Sequence, residues 1–99
     1  MAGVRVYLGE GFDHDRVLLS AAGVEVEQSD VTTRQQVGLA VSVELAVPAG
    51  EPLVLTVSVP DRGLTAEAAL DPEATPHVLV GVEHGSLTVR PEADPPRFA

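Results

Sequence analysis

Apolar and polar side chains alternate with a period of two through most of this chain, the pattern of a strand whose successive side chains face opposite sides. In VSVELAV, Val41, Val43, Leu45 and Val47 fall on one face, while Ser42, Glu44 and Ala46 fall on the other. LVLTVSV repeats this with Leu53, Leu55, Val57 and Val59 against Thr56 and Ser58. LTAEAAL sets Leu64, Ala66, Ala68 and Leu70 against Thr65, Glu67 and Ala69. HVLVGVE supplies Val78, Val80 and Val82, and SLTVR supplies Leu87 and Val89. The first third follows the same rule, with Val4, Val6 and Leu8 in VRVYL, Val17 and Leu19 in RVLLSA, and Val24 and Val26 in VEVE. Valine is stiff at its first side-chain torsion and fits a pleated sheet better than a helix, so seven to eight short strands are expected.

Turn chemistry falls between the runs. Ala22-Gly23, Pro48–Pro52, Pro60–Gly63 and His84-Gly85 offer the fixed or positive backbone torsions of tight reversals. Links this short predict antiparallel neighbours, because a parallel crossover needs about a dozen residues. The expected architecture is an all-β antiparallel sandwich, with a small barrel as the alternative. Two segments break the rhythm. QSDVTTRQQVGLA, Gln28 to Ala40, is too long for a hairpin and is expected to cross between sheets, with room for a short helical turn. PEADPPRFA, residues 91–99, reads as a flexible proline-rich tail, leaving one domain over residues 1–90.

The Val-x-Val units in VRVYL, VEVE and VSVELAV resemble those of immunoglobulin-like and transthyretin-like sandwiches. The resemblance covers architecture alone, so it implies a fold and carries no activity. The cysteine and tryptophan hallmarks of true immunoglobulin domains are absent.

Composition narrows the function classes. With 99 residues, the chain can bury about 60–70% of its unfolded surface, enough for a core without staples. There is no cysteine, which excludes disulfides, thiolate metal sites and a cysteine nucleophile. Lysine, isoleucine and asparagine are also missing, the bias of a GC-rich coding sequence and, with it, a bacterial source. The net charge of −9 argues against nucleic acid, whose phosphates need clustered cations, and the six arginines are scattered. No run approaches the roughly 18–20 apolar residues of a membrane span. The start carries no basic region followed by an apolar segment, so a cytoplasmic protein is expected if Met1 is its native start.

Candidate chemistry is sparse. GEGFDHDRV, Gly9 to Val17, places Glu10, Asp13, His14 and Asp15 within six positions. Glu10, Asp13 and Asp15 are the candidate ligands for calcium, which seeks six to eight oxygens, but the segment lacks the regular ligand series of an EF-hand. A polar turn, with Gly9 and Gly11 reversing the chain and Phe12 packing on the core, is the preferred reading. His14, His77 and His84 show no metal-binding spacing, and His77 and His84 bracket one strand. No serine lies in a nucleophile elbow, no glycine-rich loop precedes a helix to cradle phosphate, and no cofactor is implied. Glu25 and Glu27 share one strand face and read as solvated.

Leu18, Val54, Ala46, Ala69 and Leu79 point outward and make the outer faces more apolar than solvent requires, the mark of a partner contact. The expectation is a non-catalytic interaction or assembly module, a homodimer in the simplest case. Its contact would use the outer sheet face, at Leu18 and Leu79, or the long loop with Thr32, Thr33, Arg34, Gln35 and Gln36. The alternatives are a calcium- or ligand-binding module built on the Glu10–Asp15 loop, and a small enzyme. The enzyme would pair His14, His77 or His84 with Arg34 or Arg62 at an oligomer interface.

Overall fold

The computed structural model describes residues 2–33, 39–47 and 51–95. Eight strands form wherever the alternation runs: β1 (Ala2–Leu8), β2 (Asp15–Ala21), β3 (Val24–Val31), β4 (Val41–Val47), β5 (Leu53–Val59), β6 (Leu64–Leu70), β7 (His77–Glu83) and β8 (Ser86–Glu92). They assemble into two four-stranded sheets packed face to face, in the order β4-β1-β7-β8 and β3-β2-β5-β6. The molecule is a β-sandwich and not a closed barrel. The first, second, fourth and fifth strands do not share a sheet here, unlike the immunoglobulin constant arrangement.

The inward sets are those the alternation marks. Val4, Val6 and Leu8, Val17 and Leu19, Leu45 and Val47, Leu55, Val57 and Val59, and Val78 and Val80 are all essentially buried between the sheets. Each such side chain contributes about 1.5–3 kcal/mol relative to exposure, so this double layer is the main source of stability. Phe12 joins it from the link between β1 and β2, as expected.

Two hairpins use two-residue turns with positive φ at both central positions, Ala22 (49°) with Gly23 (81°) and His84 (51°) with Gly85 (76°). That geometry matches the right-handed twist of the flanking strands. Between β5 and β6, Pro60–Arg62 makes one turn of 3-10 helix, closed by the Gly63 N–H donating to the Pro60 carbonyl at 3.1 Å.

Two links that looked like hairpins are crossings. β1 and β2 lie in different sheets, and so do β4 and β5, although five residues separate β4 from β5. Five extended residues reach about 17 Å, and stacked sheets lie only about 10 Å apart, so a short link serves a crossing as well as a reversal. β1 instead runs parallel to β7, with Arg5 beside His77 and Leu8 beside Val80, a pairing across the length of the chain. Gln28–Val31, assigned to the long loop by its polarity, continues β3, and the crossing between sheets expected of this segment does occur. Arg34, Gln35 and Gln36 lie outside the described residues. Pro91 and Glu92, assigned to the tail, continue β8 opposite Val78 and His77. Proline is tolerated there because β8 is an edge strand.

The β1–β2 crossing is tied to β7 before it leaves the first sheet. Gly9 N–H donates to the Val80 carbonyl at 2.7 Å, and Val82 N–H donates to the Glu10 carbonyl at 2.8 Å. Gly11 follows at φ 90°, so close to β7 that a Cβ there would sit 2.2 Å from the Val82 carbonyl oxygen. Only glycine meets both conditions.

Candidate functional site

The GEGFDHDRV segment is a locked crossing. Thr33 Oγ1 accepts the Phe12 N–H at 3.0 Å and donates to the Gly9 carbonyl at 2.6 Å, and Thr33 N–H donates to the Phe12 carbonyl at 3.0 Å. Thr32 Oγ1 accepts the His14 N–H at 3.0 Å. Asp15 is buried in phase with Val17 and Leu19. Its carboxylate takes a forked pair from Arg62, Nε to Oδ1 at 3.0 Å and Nη2 to Oδ2 at 2.7 Å, and also accepts the Asp13 N–H at 2.9 Å. Arg62 Nη2 donates further to the Gly11 carbonyl at 3.1 Å. This planar fork is the strong geometry of an arginine–carboxylate pair.

Of the three candidate calcium ligands, these contacts engage the carboxylate of Asp15. Asp15 turns its oxygens to Arg62, while Glu10 and Asp13 lie exposed. Among the described residues, no three His, Asp or Glu side chains come together to hold a metal ion. Arg62, a candidate partner for a histidine, is committed to Asp15 and Gly11. Thr32 and Thr33, candidate contact residues, also hold the crossing.

The three histidines occupy separate places. His84 sits in the β7–β8 turn, at the opposite end of β7 from His77. His77 lies on the outer face of the first sheet with its Nδ1 3.0 Å from the Tyr7 hydroxyl and the two rings tilted, centroids 5.8 Å apart. His14 is exposed, with Nδ1 2.5 Å from Asp30 Oδ1. Asp30 reaches it because β3 bulges opposite Arg16, which puts Asp30 at φ 54°.

The His14 pKa is raised above the ordinary 6.5, first by the hydrogen bond to Asp30, then by the charges of Asp30 and Asp13. A histidine pKa raised on folding gives stability fully present below the unfolded value, and lost as pH rises through the folded value. The expected result is a His14 imidazole titration midpoint above 6.5, followed by nuclear magnetic resonance, that falls in Asp30→Asn. An unchanged midpoint in that variant would remove Asp30 as the cause.

The outward apolar residues divide between two opposite faces. Ala46 and Leu79 lie on the first sheet, and Leu18, Val54 and Ala69 on the second, so Leu18 and Leu79 cannot contribute to one patch. The first sheet's outer face is self-compensated, with Arg5 bound to Glu44 at 2.6 Å and lying 3.4 Å from Ser42 Oγ.

The second sheet's outer face is different, and it holds the candidate site. Strand register builds two rows across all four strands. One runs Glu27, Leu18, Ser58, Thr65, and the next runs Glu25, Ser20, Thr56, Glu67. Beyond them Val54, 51% exposed, pairs with Ala69. The rows frame an open groove of about 460 Å³ lined by Leu18, Ser20, Glu25, Glu27, Thr56 and Ser58. A second cleft of about 430 Å³ lies beside β3 and β4, lined by Asp30, Thr32, Thr33, Ala40 and Val41 among others.

The groove sets hydroxyl groups and one leucine beside the carboxylates of Glu25 and Glu27 on β3, and Glu67 ends the second row on β6. Outward placement of its residues was readable from the alternation. Their alignment in rows depends on three pairings between strands, of which the short links predict β2–β3 and β5–β6, while the sequence offers no signal for β2–β5. No family model, no curated protein and no solved structure matches this chain.

Proposed function

We propose that this protein is a non-catalytic interaction module whose contact surface is the outer face of the second sheet, centred on Leu18, Ser20, Thr56 and Ser58. The observation that carries the reading is the contrast between the two outer faces. One neutralises its own central charges through Arg5 and Glu44. The other presents an open groove in which the outward Leu18 and five polar residues stand together. A mixed polar and apolar surface of this kind suits a reversible partner contact.

In this reading the well-tied crossing, with Asp15, Arg62 and Thr33, is scaffold that holds the two sheets in place. A homodimer is the simplest assembly, but one joined groove to groove would set Glu25, Glu27 and Glu67 against their own copies, so the partner is a different molecule.

The test is the native mass of the protein in clarified extracts of cells that produce it. Wild type is expected in an assembly larger than the 10.3 kDa chain. Thr56→Arg with Ser58→Arg, placed in the groove, should release the free chain, while Thr88→Arg on the other face should not. Release by neither substitution, with both variants folded, would count against the groove.

A further inference from the structure

We propose that the groove receives an extended cationic segment of a partner protein, whose basic side chains pair with Glu25 and Glu67 across the sheet. This rests on the reading that the outer face of the second sheet is the contact surface, and it adds the partner's chemistry.

Charge complementarity selects the occupant. The face carries Glu25 and Glu27 on β3 and Glu67 on β6, with Asp61 at the end of β5. Among the described residues its cation is Arg16, which stands between Glu27 at 3.8 Å and Asp61 at 4.0 Å, at one end of the face. Among the described residues no ion pair reaches Glu25 or Glu67. Thr56 Oγ1 lies 3.5 Å from Glu67 Oε2, too long to satisfy a carboxylate. The central row is therefore two carboxylates separated by two hydroxyls, with an excess of negative charge.

Spacing selects the form of the segment. Glu25 and Glu67 sit three strand steps apart, about 14 Å between backbones. In an extended chain, basic residues four positions apart are about 13 Å apart and point to the same side. A strand lying across the sheet can therefore place one ammonium or guanidinium at each end of the row. Its intervening inward side chain would meet Ser20 and Thr56, beside the half-buried Leu18. A nucleic acid or an anionic lipid surface would meet like charge here, and so would a second copy of the chain.

The test is a titration of the ¹⁵N-labelled full chain at low salt with three blocked pentapeptides, Lys-Val-Thr-Val-Lys and its counterparts with Ser or Glu in place of both lysines. The lysine peptide is expected to shift the amides of Leu18, Ser20, Glu25, Thr56, Ser58 and Glu67 in a saturable way. Glu25→Gln with Glu67→Gln should weaken that binding about five-fold, the scale of two exposed ion pairs. Both positions are exposed, and the spectrum of the free variant elsewhere reports that the fold is kept.

An equal effect of the serine peptide would overturn the cationic partner while leaving the face as a contact surface. Lysine-peptide shifts spread over Glu10, Glu83 and Asp94 without saturation would overturn the proposal as simple charge attraction. Unaltered affinity in the double variant would overturn it too. A groove that no peptide touches would take with it both the proposal and the reading beneath it.

Discussion

Leu19→Ala is expected to destabilise the protein by about 2–5 kcal/mol, because it removes a fully enclosed side chain and leaves a cavity between the sheets. At roughly 4–8 °C per kcal/mol for a domain of this size, melting should fall by at least about 8 °C. The same substitution one residue earlier, Leu18→Ala, should cost about 1 kcal/mol or less, since that side chain stands on the outer face. The contrast between adjacent leucines comes from their environment: Leu19 is 1% exposed and pairs in register with Val57 inside the sandwich, whereas Leu18 pairs with Ser58 facing out. Thermal or urea unfolding of the two variants checks the assignment of faces on which the groove depends. Equal losses would mean that the register of β2 is wrong.

The second large effect is expected at the fork between Asp15 and Arg62. Arg62→Leu strands a carboxylate that is 5% exposed, with the Asp13 N–H as its remaining hydrogen-bond partner. Breaking a fully buried pair costs about 3–5 kcal/mol. Arg62 keeps 35% of its side chain in solvent, which screens the pair, so about 2–3 kcal/mol is the expected loss. Adding Asp15→Asn removes the stranded charge, so the double variant should be more stable than the sum of the two single losses implies, with a coupling of about 1–3 kcal/mol. Additive losses would show that the two side chains act independently. The pair matters because it joins the β1–β2 crossing to the β5–β6 turn and so fixes the end of β2 beside the groove.

How much of this was legible in the sequence depends on the range of the interaction concerned. Alternation is a local property, and Val17, Leu19, Val57, Val78 and Val80 face inward as their phase requires. The turns at Ala22-Gly23 and His84-Gly85 are equally local. Sheet membership is not. The Arg5 to His77 pairing joins the two ends of the chain, and nothing in VRVYL names β7 as its parallel neighbour. The link from Pro48 to Pro52 carries the residues of a reversal and yet crosses between sheets, since length and turn chemistry do not separate the two outcomes.

The candidate site shows the same division. Asp15 lies in step with Val17 and Leu19, so extending the alternation one position back would have marked it as inward-facing. A buried aspartate demands a cation, and Arg62 in the Pro60–Gly63 turn was an available one. The liganding residues of GEGFDHD drew attention by type; of them Asp15 is engaged by Arg62, and His14 by Thr32 and Asp30, while Glu10 and Asp13 stay exposed. The outward positions of Ser58, Thr56, Glu67 and Glu25 followed from phase. That Glu25, Ser20, Thr56 and Glu67 form one line required three strand registers: the turns of the β2–β3 and β5–β6 hairpins set two of them, and tertiary packing sets that of β2 with β5.

The central claim is that partners meet this protein on the outer face of the second sheet. Its most direct test is a photoreactive amino acid installed at Thr56 and, separately, at Thr88, two half-buried outward positions on opposite faces, in cells that produce the protein. The account predicts one recurring adduct from Thr56, mapped to a segment rich in lysine or arginine and lost when Glu25 and Glu67 are changed to glutamine. Thr88 should give none. Matching adducts from both positions, or an adduct from Thr88 alone, would contradict it.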